Sequence, residues 1–176
     1  MLLPFGGKTM IEKVIENVTA SEVDNTVVVL GSGKDKIMKV IGSLPVMHCY
    51  NDRYMEGMLS SVKCGLRFLP DHFDAVIILP GDTPMIGPDV INLLIRAFGK
   101  SGKGILMPTF NDKRGHPLLV SYKYREEIER LDGNEGLRAL AGRYPHDVLE
   151  VQTGTPDILR DIDTPGDYKN ELNQIN

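Results

Sequence analysis

The sequence predicts an α/β protein with a mostly parallel sheet. Two short runs, Thr26–Leu30 and Ala75–Leu79, are almost continuously apolar and rich in β-branched residues, as strands buried on both faces are. Each run closes on a turn signal, Gly31 in one case and Pro80-Gly81 in the other. Between such runs lie stretches whose apolar residues recur at helical spacing. Strands alternating with helices build parallel sheets.

In chain order, Met1 to Lys8 reads as a loop. Thr9 and Glu12 have capping-box spacing ahead of a helix with Met10, Ile11, Val14, Ile15 and Val18 on one face. Gly31-Ser32-Gly33-Lys34 lacks the leading glycine and the following Ser or Thr of a phosphate loop, so a tight strand-to-helix turn is expected there. Val46–Tyr50 reads as a strand, followed by a helix carrying Val62, Leu66 and Leu69. Gly87-Pro88 starts another helix, since proline suits a first turn. Ile105–Met107 and Leu118–Val120 are expected to pair around the polar connection Asn111 to Pro117. Helices follow at Lys123–Leu131 and Glu135–Arg143, with short strands at Val148–Val151 and Ile158–Ile162 and a last helix from Thr164-Pro165.

A chain of 176 residues is expected to be one domain, residues 1–176, with 41% hydrophobic and 25% charged residues as in ordinary globular proteins. The formal net charge of −4 provides no overall attraction to nucleic acid or anionic membrane, so neither is an expected partner. No stretch has membrane-spanning length and no signal peptide is visible, which points to the cytoplasm. Cys49 and Cys64 stand outside any CxxC or Cys/His spacing and are expected as free thiols.

Three polar constellations can carry chemistry. Asp82 follows the Ala75–Leu79 strand in Gly81-Asp82-Thr83-Pro84, at the carboxyl edge where open α/β sheets bind ligands. Asp161 and Asp163 lie in Asp161-Ile162-Asp163-Thr164-Pro165, a second Asp-Thr-Pro turn. Asp82 and Asp163 together suit Mg²⁺, which takes one or two carboxylates and keeps waters for substrate phosphates to displace. Helix capping is the alternative for each. Lys113, Arg114 and His116 form the second group, placed to hold an anionic acceptor on the Asp82 side of the sheet or to serve as a plain polar loop. The third is Asp132 to Arg138, either an anion site or a C-cap followed by an N-cap. Near Gly57, Ser60 and Ser61 either cap a helix or accompany free amides that hold a polar ligand.

Taken in order, Leu3-Pro4-Phe5-Gly6-Gly7-Lys8, Glu56-Gly57-Met58 with Ser60-Ser61, Gly81-Asp82-Thr83-Pro84, Arg114-Gly115-His116-Pro117, Gly133 to Arg138 and Asp161-Ile162-Asp163-Thr164-Pro165 resemble the MobA-like nucleotidyltransferases. Within them the chain is most similar to the molybdenum cofactor cytidylyltransferase branch. The resemblance implies a Rossmann-like three-layer α/β/α fold of the nucleotide-diphospho-sugar-transferase kind. It implies Mg²⁺-dependent transfer of a nucleoside monophosphate from a nucleoside triphosphate, CTP in that branch, to a phosphate-bearing acceptor such as molybdopterin. Asp82 would then be the catalytic carboxylate and would share the metal with Asp163. Gly57, Met58, Ser60, Ser61, Gly81, Asp82 and Thr83 would bind the nucleotide, and Arg114, Gly115 and His116 the acceptor.

The family's first strand and its LAAGxSxRMGxxK loop precede the point at which this sequence opens. That strand would lie between Thr26–Leu30 and Ala75–Leu79. Residues 1–176 by themselves are therefore expected to fold poorly or to pair through exposed strands as homo-oligomers, and to transfer no nucleotide. A domain that holds a nucleotide or cofactor without turnover is the alternative reading. A receiver-like domain phosphorylated at Asp82 leaves Pro84 and the Asp161–Asp163 element without a role.

Overall fold

The computed structural model describes residues 1–133 and 135–175, with side chains described through Asn173. The chain opens on a two-residue hairpin, β1 (Pro4–Phe5) against β2 (Lys8–Thr9), where sequence alone suggested a loop. Its turn needs left-handed backbone, φ +57° at Gly6 and +82° at Gly7, which glycine adopts without penalty. Thr9 then caps α1 (Met10–Thr19): its hydroxyl accepts from the Glu12 amide, and the Glu12 carboxylate accepts from the Thr9 amide at 2.8 Å. This is the reciprocal capping box that the spacing predicts.

β3 (Val27–Leu30) enters α2 (Lys34–Ile41) through Gly33, and β4 (Met47–Tyr50) returns parallel to β3. A 3₁₀ turn at Tyr54–Glu56 leads into α3 (Met58–Phe68), followed by β5 (Ala75–Ile78) and α4 (Pro88–Ser101). β6 (Ile105–Phe110), β7 (Lys113–Arg114) and β8 (Leu118–Ser121) come next, then α5 (Arg125–Arg130), α6 (Arg138–Arg143), β9 (Val148–Gln152) and α7 (Pro165–Ile175). β8 runs antiparallel to both β5 and β6, and β9 runs parallel to β6. So β5, β6 and β9 share one direction, β3 and β4 share theirs, and only β8 and the short β7 oppose. The expected pairing of Ile105–Met107 with Leu118–Val120 is present, in the register Ile105 to Val120.

Helices cover both faces. On one, α1 and α2 pack Ile11, Ile15 and Ile41 against Val28 and Leu30, while α1 and α4 set Val18 and Ile91 against Ile77. On the other, α3, α5 and α6 contribute Leu59, Leu66, Ile128 and Leu140 to a cluster with Val76, Ile78, Leu118 and Val120. Gly65 of α3 also lies close to Val29. Thus α1 and α3 each span from β3 to β5. Between those two strands no backbone pairing runs: β3 bonds to β4 and β5 to β8. The one-sided bonding leaves Val27, Val28, Val29 and all of β5 half-buried, whereas the first five residues of β6 are fully buried.

Two expectations are corrected. Ile158–Ile162 is not a strand. Pro156 begins a 3₁₀ turn over Pro156–Leu159, the Thr155 hydroxyl accepts from the Asp157 amide, and the chain from Arg160 to Asp163 joins no strand ladder. The helix expected from Glu135 starts at Arg138, because Gly136 takes φ +64° and breaks the helical path. Asn134, within the Asp132 to Arg138 motif, lies outside the described residues. No helix among the described residues is long and apolar enough to cross a membrane.

One polar residue joins α1 to the loop after β5. Asn17, 7% exposed in an otherwise apolar helix face, donates from its amide nitrogen to the carbonyls of Pro84 and Ile86, each at 3.0 Å. Asn17→Ala strips both buried carbonyls of their donor and is expected to destabilise the fold by about 1–3 kcal/mol. Urea unfolding of the two proteins measures the difference.

Candidate active site

The loop after β5 is held from below. Thr83, 1% exposed, donates its hydroxyl to the Pro80 carbonyl at 2.7 Å, and Asn17 holds the two carbonyls just described. A Cβ on Gly81 would stand 2.2 Å from the terminal methyl of Met1, so glycine lets the Met1 side chain rest on the loop backbone. Asp82 projects from this frame, half-buried, and its Oδ1 is buried with no hydrogen-bond partner among the described residues.

The second carboxylate pair is brought to it by the backbone. The Ile162 amide donates to the Asp82 carbonyl at 3.0 Å, so Asp161 and Asp163 flank Asp82. Burial raises the Asp82 pKa above its ordinary value, and the charges of Asp163 and Asp161 push it the same way, against its own backbone amide and His116. Asp163 is not the cap of α7. That role belongs to Thr164, whose hydroxyl accepts from the Asp167 amide at 3.1 Å, while the Asp167 carboxylate accepts from the Thr164 amide at 2.8 Å. Among the described residues no three His, Cys, Asp or Glu side chains converge as a closed metal site. What the loop offers is a carboxylate with an unsatisfied oxygen and acidic neighbours, a donor set suited to a hard cation that keeps several waters.

The turn between β6 and β7 uses Asn111 and Asp112 at φ +49° and +61°. Beyond it the Arg114-Gly115-His116 group divides. Arg114 forms an ion pair with Glu150 of β9 at 2.6 Å, on the exposed surface. Gly115 is required by a close approach: a Cβ there would stand 2.1 Å from the Ile158 carbonyl oxygen. The His116 amide donates to that same oxygen at 2.8 Å, and its ring lies within electrostatic reach of Asp82, Asp161 and Arg138. Burial holds the imidazole below the usual histidine range despite the two carboxylates, which favours the neutral ring near pH 7.

On the β4 side the serines do not cap α3. Gly57 occupies the cap position, at φ +97°, with no side-chain cap bond. Instead Asn51, 4% exposed, donates to the Ser60 and Ser61 hydroxyls at 2.8 and 3.1 Å and accepts from the Arg53 amide at 3.0 Å. Met58 stays largely exposed beside them. Gly133 approaches the Glu56 carbonyl, and Lys63 donates to the Leu131 carbonyl at 2.8 Å, so the chain at Leu131 and Gly133 lies against the start of α3. Asn17 and Asn51 escaped the sequence analysis. The signal for Asn17 was an amide inside an apolar helical stripe; Asn51 gave only its position one residue past a strand.

A family model described as the MobA-like NTP transferase domain matches residues 1–148. The chain belongs to the MobA-like NTP transferase family. Curated relatives include the bifunctional protein GlmU of Mycobacterium sp. (strain KMS), 25% identical over 167 residues, covering 87% of this chain and 33% of that protein. The chain thus spans about a third of the length of such relatives. Among solved structures, the Rv0371c homolog from Mycobacterium sp. strain JC1 superposes with a TM-score of 0.86 at 23% identity, covering 99% of this chain and 86% of that one. Rv0371c of Mycobacterium tuberculosis H37Rv, solved in complex with manganese, gives 0.82 at 22% identity, covering 98% and 90%. At these identities the likeness establishes the fold alone.

Gly115→Ala forces the Ile158 carbonyl and the His116 loop apart. A loss of about 1–3 kcal/mol is expected, as for other overpacked sites, read by thermal or chemical unfolding.

Proposed function

We propose that this chain holds a nucleoside triphosphate with a divalent cation at Asp82 and Asp163 and transfers the nucleoside monophosphate to a phosphate-bearing acceptor. The observation that carries the reading is the buried, unpartnered Oδ1 of Asp82 beside two further aspartates. A buried carboxylate crowded by like charge is stable only if a cation or a proton relieves it. Magnesium or manganese fits the pair. When bound, such an ion neutralises charge on the phosphates as pyrophosphate leaves.

The chain's own residues orient the reactants. Gly57, Met58, Ser60 and Ser61 lie along the base and ribose, with the serine hydroxyls set by Asn51. Gly81 and Thr83 shape the loop under the phosphates. Gly115 and His116 face the acceptor, with the charge of Arg138 felt at the imidazole and Arg114 paired with Glu150 on the surface. CTP is the donor and a molybdopterin-type phosphate the acceptor, on the motifs shared with the cytidylyltransferase branch. A second reading, binding without turnover, is favoured by the one-sided bonding of β3 and of β5, the strand that leads into the Asp82 loop.

The test measures CTP binding and pyrophosphate release with Mg²⁺ or Mn²⁺ present and absent. Metal-dependent binding is expected in the wild type and is expected to fall at least tenfold, about 1.4 kcal/mol, in Asp82→Asn and Asp163→Asn. Unchanged metal-dependent binding in both variants would overturn the assignment. Binding without release supports the second reading. Asp82→Asn should also leave the metal-free protein as stable as the wild type or more so, because it removes an uncompensated charge.

A further inference from the structure

We propose that Cys49 and Cys64 are a thiol pair that closes into a reversible disulfide, stapling β4 to α3. Their sulfurs stand 3.7 Å apart, one on each element, and both thiols are free. A disulfide brings sulfurs to about 2.05 Å, so closure asks for a movement of about 1.7 Å. Two rotatable side chains and a small shift of one helix turn provide that. Both residues are half-buried, which leaves a path for a small reagent.

Cys64 also lies 3.5 Å from the Tyr50 carbonyl, on the strand next to Cys49. Burial and the neighbouring sulfur disfavour a thiolate at Cys49, and the exchange has the same balance whichever of the two sulfurs opens it. With a small-molecule disulfide as oxidant, the Cys64 thiolate attacks one of its sulfurs and a small thiolate leaves, taking up a proton. Cys49 then loses its proton to solvent base and attacks the Cys64 sulfur, releasing the second small thiolate, which is protonated in turn. Two cysteine thiols and one disulfide become one protein disulfide and two small thiols, with two electrons passing to the reagent.

The staple lies close to the Asn51–serine group described above. Cys49 precedes Asn51 by two residues, and Cys64 follows Ser60 by one helical turn, so the Asn51–serine hydrogen bonds and the disulfide would clamp the same strand and helix.

The experiment treats the reduced full chain with oxidised glutathione and maps its peptides under non-reducing conditions. The expected product is a Cys49–Cys64 linked pair within one chain, lacking two hydrogens and retaining no glutathione. It should be reversed by dithiothreitol and unfold several degrees higher than the reduced form. Cys49→Ser is expected to hold a glutathione on Cys64 instead. Glutathione retained on the wild type, a link between chains only, or both thiols left free would each overturn the proposal. None of these readouts involves a nucleotide, so the result stands apart from the reading of Asp82.

Discussion

The bond from the Ile162 amide to the Asp82 carbonyl fixes the segment ahead of α7 against the loop after β5. The chain leaves β9, turns at Pro156 and comes back past the end of β5. Ile162 turns inward, buried with Phe5 and Met10, and the charges of its sequence neighbours Asp161 and Asp163 act on Asp82. The apolar anchor and the backbone bond thus hold two acidic groups in place beside a third, at a cost that hydrophobic burial of Ile162 helps to offset. Tyr168 of α7, which donates its hydroxyl to the Pro4 carbonyl, packs with the same cluster and ties the opening hairpin to this corner.

That corner is electrostatically one-sided. Asp82 meets two carboxylates and, on the other side, a histidine that burial keeps from charging easily. Neighbouring guanidinium groups are employed elsewhere: Arg114 on Glu150, and Arg160 on Asp157 and Glu171. A protein that needed only to be stable would place one of those cations at Asp82. Leaving the site short of positive charge keeps affinity for a cation that arrives from solution.

Much of the frame was legible because it is written locally. A continuous apolar run marks a doubly covered strand, and Thr9 with Glu12 marks a helix start whatever surrounds them. The Asp82 and Asp163 turns were legible for the same reason, each being a carboxylate locked by Thr-Pro. Long-range partners were not legible. Nothing near Arg114 announces Glu150, thirty-six positions on, and nothing near Asn17 announces the carbonyls of Pro84 and Ile86. Ile158–Ile162 misled because alternating apolar residues satisfy a strand pattern, yet Pro156 sets a turn first and the segment makes single backbone bonds, to the His116 amide and the Asp82 carbonyl, in place of a ladder. The meeting of Cys49 and Cys64 also depends on how β4 and α3 pack, which no spacing encodes.

The division between the β3–β4 pair and the five-stranded sheet bears on how the molecule breathes. Backbone hydrogen bonds transmit strain along a sheet stiffly, whereas side-chain contacts slip. Here the two sheet pieces communicate through α1 and α3, whose apolar faces grip both. They should therefore lose their amide protection in separate steps, with β3, α2 and β4 exchanging as one unit ahead of the β6-centred core. The two pieces can shift against each other as the helices tilt, without breaking a single rung of either ladder.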